Sequence, residues 1–159
     1  MAYKIDGINI ALKLRNNLKE EIIKLQKEHG KIPGLAVVQV GNVAASSIYV
    51  KAKTKQAQEV GIKVIDHHLN ENTTQEELLN LISKLNNQLD VNGILVQLPL
   101  PKQIHEQTVL DAIEPSKDAD GFHPTNVGKL SIALNNKNDL LVPCTPYGCL
   151  LILKELDID

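Results

Sequence analysis

Apolar residues recur at spacings of three and four between Ile8 and His29, at Ala11, Leu14, Leu18, Ile22 and Leu25, with charged residues between them and Gly30 just beyond. That period marks one face of an amphipathic helix. The pattern then changes to a continuous apolar run, Leu35-Ala-Val-Val-Gln-Val40, closed by Gly41, as expected of a strand buried on both faces. A helical pattern opens at Ser46, runs to Val60 and stops at Gly61. Lys63-Val-Ile-Asp-His-His-Leu69, rich in β-branched residues, predicts a second strand. Thr74-Gln-Glu-Glu77 has the spacing of a capping box, and Leu78, Ile82, Leu85 and Leu89 then mark one helical face that ends near Asn86 to Asp90. After an Asn92-Gly93 turn, Gly93-Ile-Leu-Val-Gln-Leu98 is the most strand-like run of the chain, broken at Pro99 and Pro101. Alternating strands and helices predict an α/β fold, a three-layer α/β/α domain with a mainly parallel sheet.

Beyond Pro101 the elements shorten. A helix is expected over Glu106 to Ile113, a loop over Pro115 to Pro124, a second short helix over Gly128 to Leu134 and a polar tip over Asn135 to Asp139. Thr145 as N-cap and Pro146 at the first helical position predict a last helix from Tyr147 to about Leu156.

Composition narrows the function classes. The chain of 159 residues suits one domain with its own core, and with 3% aromatics and no Trp that core must be aliphatic. A formal net charge of −2, with acids and bases intermixed, gives no basic field for nucleic acid, and no apolar run is long enough for a membrane span. Cys144 and Cys149, five apart without a Cys-x-x-Cys pattern, argue against a zinc site and a disulfide framework, so a reducing cytoplasm is the expectation. No Gly-x-Gly-x-x-Gly or Walker loop occurs, so no dinucleotide or triphosphate site is expected in these residues.

The candidate chemistry begins with Tyr49 and Lys53. Four residues apart on one helix, at the exit of a buried strand, they set a phenol and an ammonium on the same face, suited to a flat ligand with a reacting nitrogen or a negative charge. From the pair alone, an amphipathic helix with a half-buried Tyr and a solvated Lys is the favoured reading. His67 and His68 are adjacent, so in a strand they face opposite ways and cannot act together.

Several stretches in order resemble the bifunctional methylenetetrahydrofolate dehydrogenase/methenyltetrahydrofolate cyclohydrolase family: Val40-Gly41 with Ala45-Ser-Ser-Ile-Tyr-Val-Lys-Ala-Lys53, Gly93-Ile-Leu-Val-Gln-Leu-Pro-Leu-Pro101, Lys117-Asp-Ala-Asp-Gly-Phe-His-Pro124 with Asn126-Val-Gly-Lys-Leu130, and Pro143-Cys-Thr-Pro146. The chain departs from it at Asn42-Val43-Ala44, where many relatives carry Asp, an intermediate residue and Pro, and at Gln56 and Gln58.

The resemblance implies a folate-binding catalytic domain over residues 1–143. Residues 144–159 would be a helix leading toward an NADP-binding Rossmann domain that this chain does not carry. NADP would be the cofactor and tetrahydrofolate derivatives the substrates, with a homodimer for the full-length protein and a monomer for this chain. It also implies roles. Lys53 is the catalytic lysine, Tyr49 the ring that stacks on the folate's aminobenzoyl portion, and Gln97 the residue that holds the lysine, although a strand-end amide satisfied by backbone explains Gln97 as well. Asp120 is the acid that reads the pterin edge through two parallel N–H bonds, against the plain reading of an Asp-Gly turn residue. Leu98 and Pro99 line the pterin slot, Cys144 and Thr145 shape the cleft wall, and Asp118 is left as a turn residue.

Overall fold

The computed structural model describes residues 5–42, 44–132 and 140–156; for 44–48 it describes the backbone alone. Among the described residues, six α-helices and three strands follow one another as α1 (Gly7–His29), β1 (Gly34–Val40), α2 (Ala44–Val60), β2 (Lys63–Leu69), α3 (Gln75–Asn87), β3 (Gly93–Val96), α4 (Glu106–Asp111), α5 (Pro124–Ile132) and α6 (Cys144–Glu155). The strands form one parallel sheet in the order β2-β1-β3, with Leu35 beside both Val64 and Gly93.

Because β1 is central and covered on both faces, its side chains alternate between two apolar layers. Ala36, Val38 and Val40 pack with Ile94, Val96 and the α3 residues Leu78, Ile82 and Leu85. Val37 packs on the other side with Val50 of α2 and Leu95. The three-layer α/β/α expectation is met, and the two-sided burial of β1 is why its sequence is continuously apolar. The capping box is present in full: the Glu77 amide donates to Thr74 Oγ1, and the Thr74 amide donates to Glu77 Oε2 at 2.8 Å.

Several expected boundaries move. Leu89 falls beyond α3 and is 97% exposed, because the helix ends at Asn87 and the chain turns before the next apolar contact. In α1 only Ile22 is buried, while Leu14, Leu18 and Leu25 keep more than a third of their surface in solvent, and Asp6, not recognised in the sequence, caps the helix by accepting from the Asn9 amide. Helix α5 begins at Pro124, earlier than Gly128, with proline in the first turn where its missing N–H costs nothing. Helix α6 begins at Cys144 after Pro143, so Thr145 lies inside the helix and is not its N-cap. The polar tip expected over Asn135 to Asp139 and the departure at Val43 lie outside the described residues.

Gly34 fixes how β1 meets the turn before β3. A Cβ built there would stand 1.9 Å from the carbonyl oxygen of Asp90, and the backbones are tied by the Asn92 amide donating to Gly34 O at 2.8 Å and the Gly34 amide donating to Asn92 Oδ1 at 2.9 Å. Gly34→Ala is therefore expected to cost about 2 kcal/mol or more, since backbone and not a side-chain tip must yield. Urea denaturation monitored by circular dichroism measures it.

Candidate functional site

The carboxyl end of β3, the α2 helix, the loop that carries Asp120 and the α6 helix line a cleft of about 570 Å³. Tyr49 and Lys53 enter it from α2 one helical turn apart, with Lys53 Nζ 5.4 Å from the centroid of the Tyr49 ring. Tyr49 is 64% exposed, so its ring is an open plate and not a core residue.

Gln97 follows β3 directly. Its amide N–H donates to Val38 O at 2.8 Å, which prolongs the pairing with β1 by one residue and fixes where the side chain leaves the sheet. That side chain donates from Nε2 to Leu98 O at 2.7 Å, leaving Oε1 buried and without a hydrogen-bond partner among the described residues. Gln97 and Lys53 thus share the cleft, but no hydrogen bond joins them among the described residues. Leu98 lines the cleft with its carbonyl taken by Gln97, and the Leu98–Pro99 peptide is cis. Pro99 is not among the lining residues.

Asp120 reaches the cleft on the loop that links the 3₁₀ turn Pro115–Lys117 to α5. Its anchors are Lys117 and Asp118. The Lys117 ammonium donates to the carbonyls of Asn86 and Gln88 at 2.8 and 2.9 Å and to that of Leu85 at 3.3 Å, satisfying the carbonyl end of α3 where a positive charge is favoured. Asp118, only 2% exposed, accepts from the amides of Gly121 and His123 at 3.1 and 2.8 Å and from Asn126 Nδ2 at 2.9 Å. Between the two acids, the Ala119 amide donates to Ile94 O of β3.

Asp118 is thus the organising centre of the loop, which its reading as a plain turn residue missed; the Asp-x-x-Gly spacing to Gly121 was the available signal. Gly121 itself has φ +69°, and a Cβ there would stand 2.8 Å from Leu141 O, so the loop and the 140–143 segment touch backbone to backbone.

Electrostatics tie these groups together. Burial raises the Asp120 carboxyl above the usual carboxylate range, the Lys53 ammonium pulls it back and Asp118 adds to the rise. Burial also raises the Cys144 thiol, Asp120 adds to it and Lys53 opposes it. Cys144 is thereby kept protonated and a poor nucleophile, as expected of a wall residue. Phe122 and the α6 residues Gly148, Cys149 and Ile152 complete the wall, a share of the site that the sequence reading gave to α6 only through Cys144 and Thr145. The two histidines part as expected for neighbours on a strand: His68 lines a small depression with Asp66 and α2, and His67 lies on the alternate side.

The family model described as the tetrahydrofolate dehydrogenase/cyclohydrolase catalytic domain matches residues 5–120. The bifunctional protein FolD of Geotalea daltonii is 52% identical over 159 residues, covering all of this chain and 55% of the relative. A crystal structure of the bifunctional enzyme FolD from Campylobacter jejuni superimposes with a TM-score of 0.92 at 47% identity, covering 98% of this chain and 54% of that one. The FolD of Trypanosoma brucei, solved with NADP cofactor and inhibitor, gives 0.93 at 35% identity, covering 99% and 52%. The chain spans about half the length of the relatives it matches. With the motifs in order, the fold superimposed and the family match running from α1 to Asp120, this chain belongs to the tetrahydrofolate dehydrogenase/cyclohydrolase family.

Proposed function

We propose that this chain is the folate-binding catalytic part of a bifunctional enzyme that oxidises methylene-tetrahydrofolate to the methenyl form with NADP and hydrolyses that product to formyl-tetrahydrofolate. The observation that carries the proposal is convergence: Tyr49, Lys53, Gln97, Leu98 and Asp120, from three separate stretches, line one cleft. In this reading Tyr49 offers its exposed ring to the aminobenzoyl group, and Asp120 accepts two N–H bonds from the aminopyrimidine edge of the pterin. Lys53 then stands beside the methenyl carbon, where it moves a proton as water adds. Gln97 Oε1, buried and without a hydrogen-bond partner among the described residues, supplies an acceptor for the Lys53 ammonium.

NADP, when bound, accepts the hydride. No glycine-rich turn for its pyrophosphate occurs in the 159 residues, so its binding is assigned mainly to a second domain, toward which residues 144–159 lead from the catalytic residues 1–143. The physiological setting in this reading is cytoplasmic one-carbon metabolism serving purine biosynthesis, with a homodimer for the full-length enzyme and a monomer for this chain.

Asp120 provides the test. Asp120→Ala removes two charge-assisted hydrogen bonds of about 1.5–3 kcal/mol each, so the dissociation constant for tetrahydrofolate, measured by anaerobic calorimetry, should rise at least tenfold. The parent chain adds a pH signature. Recognition requires the ionised carboxylate, and burial raises its pKa, so affinity should fail on acidification at a pH above the usual carboxylate range. For stability the sign is opposite: a carboxyl whose pKa is raised by folding stabilises the protein at low pH, and that contribution is lost as pH rises through the folded value. Unchanged affinity in Asp120→Ala would reduce Asp120 to a turn residue.

A further inference from the structure

Gly148 stands inside α6 and lines the cleft. Glycine is the poorest helix former after proline, and a helix interior normally keeps one only where conformation or packing demands it. Neither applies at this position. Its φ is not left-handed, and a Cβ built there meets nothing within 4 Å, unlike at Gly34 and Gly121, where backbone stands in the way. Gly148 is one of the residues that line the cleft, so the open space adjoins it. It lies one helical turn beyond Cys144, the thiol whose titration responds to both Asp120 and Lys53.

We propose that Gly148 is a specificity-determining position: its missing side chain leaves room on the α6 wall for the ring system of a reduced folate, and a larger residue would fill that room. The inference rests on the folate reading above. It goes further by naming a residue that admits the ring system through its lack of a side chain and contributes no polar contact. A side chain at 148 would project into the cleft without disturbing the fold, so stability and binding should move in opposite directions.

Gly128 supplies the control. It too stands inside a helix, α5, with nothing within 4 Å of a built Cβ, but it lines no part of the cleft. Calorimetric titration with tetrahydrofolate and thermal melts of the parent chain, Gly128→Ala, Gly148→Ala and Gly148→Leu separate the contributions. Both alanine variants should melt about 2–4 °C higher, from helix propensity alone. Gly128→Ala should bind as the parent does, Gly148→Ala roughly three- to tenfold more weakly, and Gly148→Leu at least about tenfold more weakly.

Parent-like affinity in both Gly148 variants overturns the inference and leaves the folate reading standing. A parent chain that binds no tetrahydrofolate overturns both. If Gly148→Leu fails to fold, Gly148→Ala decides: weaker binding with a higher melting temperature supports the inference, and unchanged binding ends it.

Discussion

Lys53→Met is expected to abolish cyclohydrolase turnover, by a factor of about 10²–10⁴, while leaving the fold and most of the folate affinity intact. The physical basis is the isolation of the ammonium. Lys53 forms no hydrogen bond or ion pair among the described residues; it stands 5.4 Å from the centroid of the Tyr49 ring and acts on Asp120 and Cys144 through its charge alone. Methionine keeps the unbranched stem that packs along α2 and removes only the proton carrier, so the melting temperature should hardly move. The loss should fall on kcat and not on KM, as for an interaction made in the transition state.

The assay is hydrolysis of methenyl-tetrahydrofolate, run on this chain and on a chimaera carrying the second half of a FolD relative. Activity within a few-fold of the parent would remove Lys53 from the chemistry. Folate binding with no hydrolysis in the parent or the variant would instead select the rival, a folate-binding module without turnover that retains the Tyr49 and Asp120 contacts. An internal check comes with the same variant: the Lys53 charge opposes the rise of the Asp120 carboxyl, so the acid limit of folate binding should move to higher pH when that charge is removed.

Asp118→Ala should instead act through folding. The side chain is almost wholly enclosed and accepts three hydrogen bonds, so truncation leaves the Gly121 and His123 amides and the Asn126 amide group short of their acceptor. Asn126 retains Pro115 O at 2.8 Å and Gly121 retains a longer bond to the Asp118 carbonyl, whereas the His123 amide has no such replacement among the described residues. About 2–4 kcal/mol of stability should be lost, read from chemical denaturation. Folate affinity should fall with it, because the same loop presents Asp120. A loss below about 1 kcal/mol would show that the loop is held by Lys117 and Ala119 without help from the buried acid.

What the sequence made legible is what repeats locally. β1 and β3 stood out because two-sided burial writes a continuous apolar run, and Thr74 with Glu77 because a capping box closes within four residues. The Tyr49–Lys53 pair followed from helical spacing alone. Leu89 was misplaced because periodicity does not show where a helix stops, and Thr145 because Pro146 imitates a first helical position that α6 has already passed. The other half of the site was hidden for a different reason. Asp118 organises three donors in the turn and helix that follow it, while the far wall is built by α6, distant in sequence from Lys53. Such convergence depends on the path of the whole chain and leaves no period to read. Resemblance supplied Asp120 and Gln97, whose chemistry no local pattern distinguishes from a turn acid and a strand-end amide.

The Lys117 tether gives the site a timekeeper. The last turn of a helix is usually among the first parts of a protein to open and reclose. In this fold each opening at the end of α3 would strip the Lys117 ammonium of its acceptors and slacken the root of the loop that carries Asp120. A helix that lines no part of the cleft thereby sets how long the cleft stays ready, and the breathing of its final turn becomes the clock against which a folate must arrive.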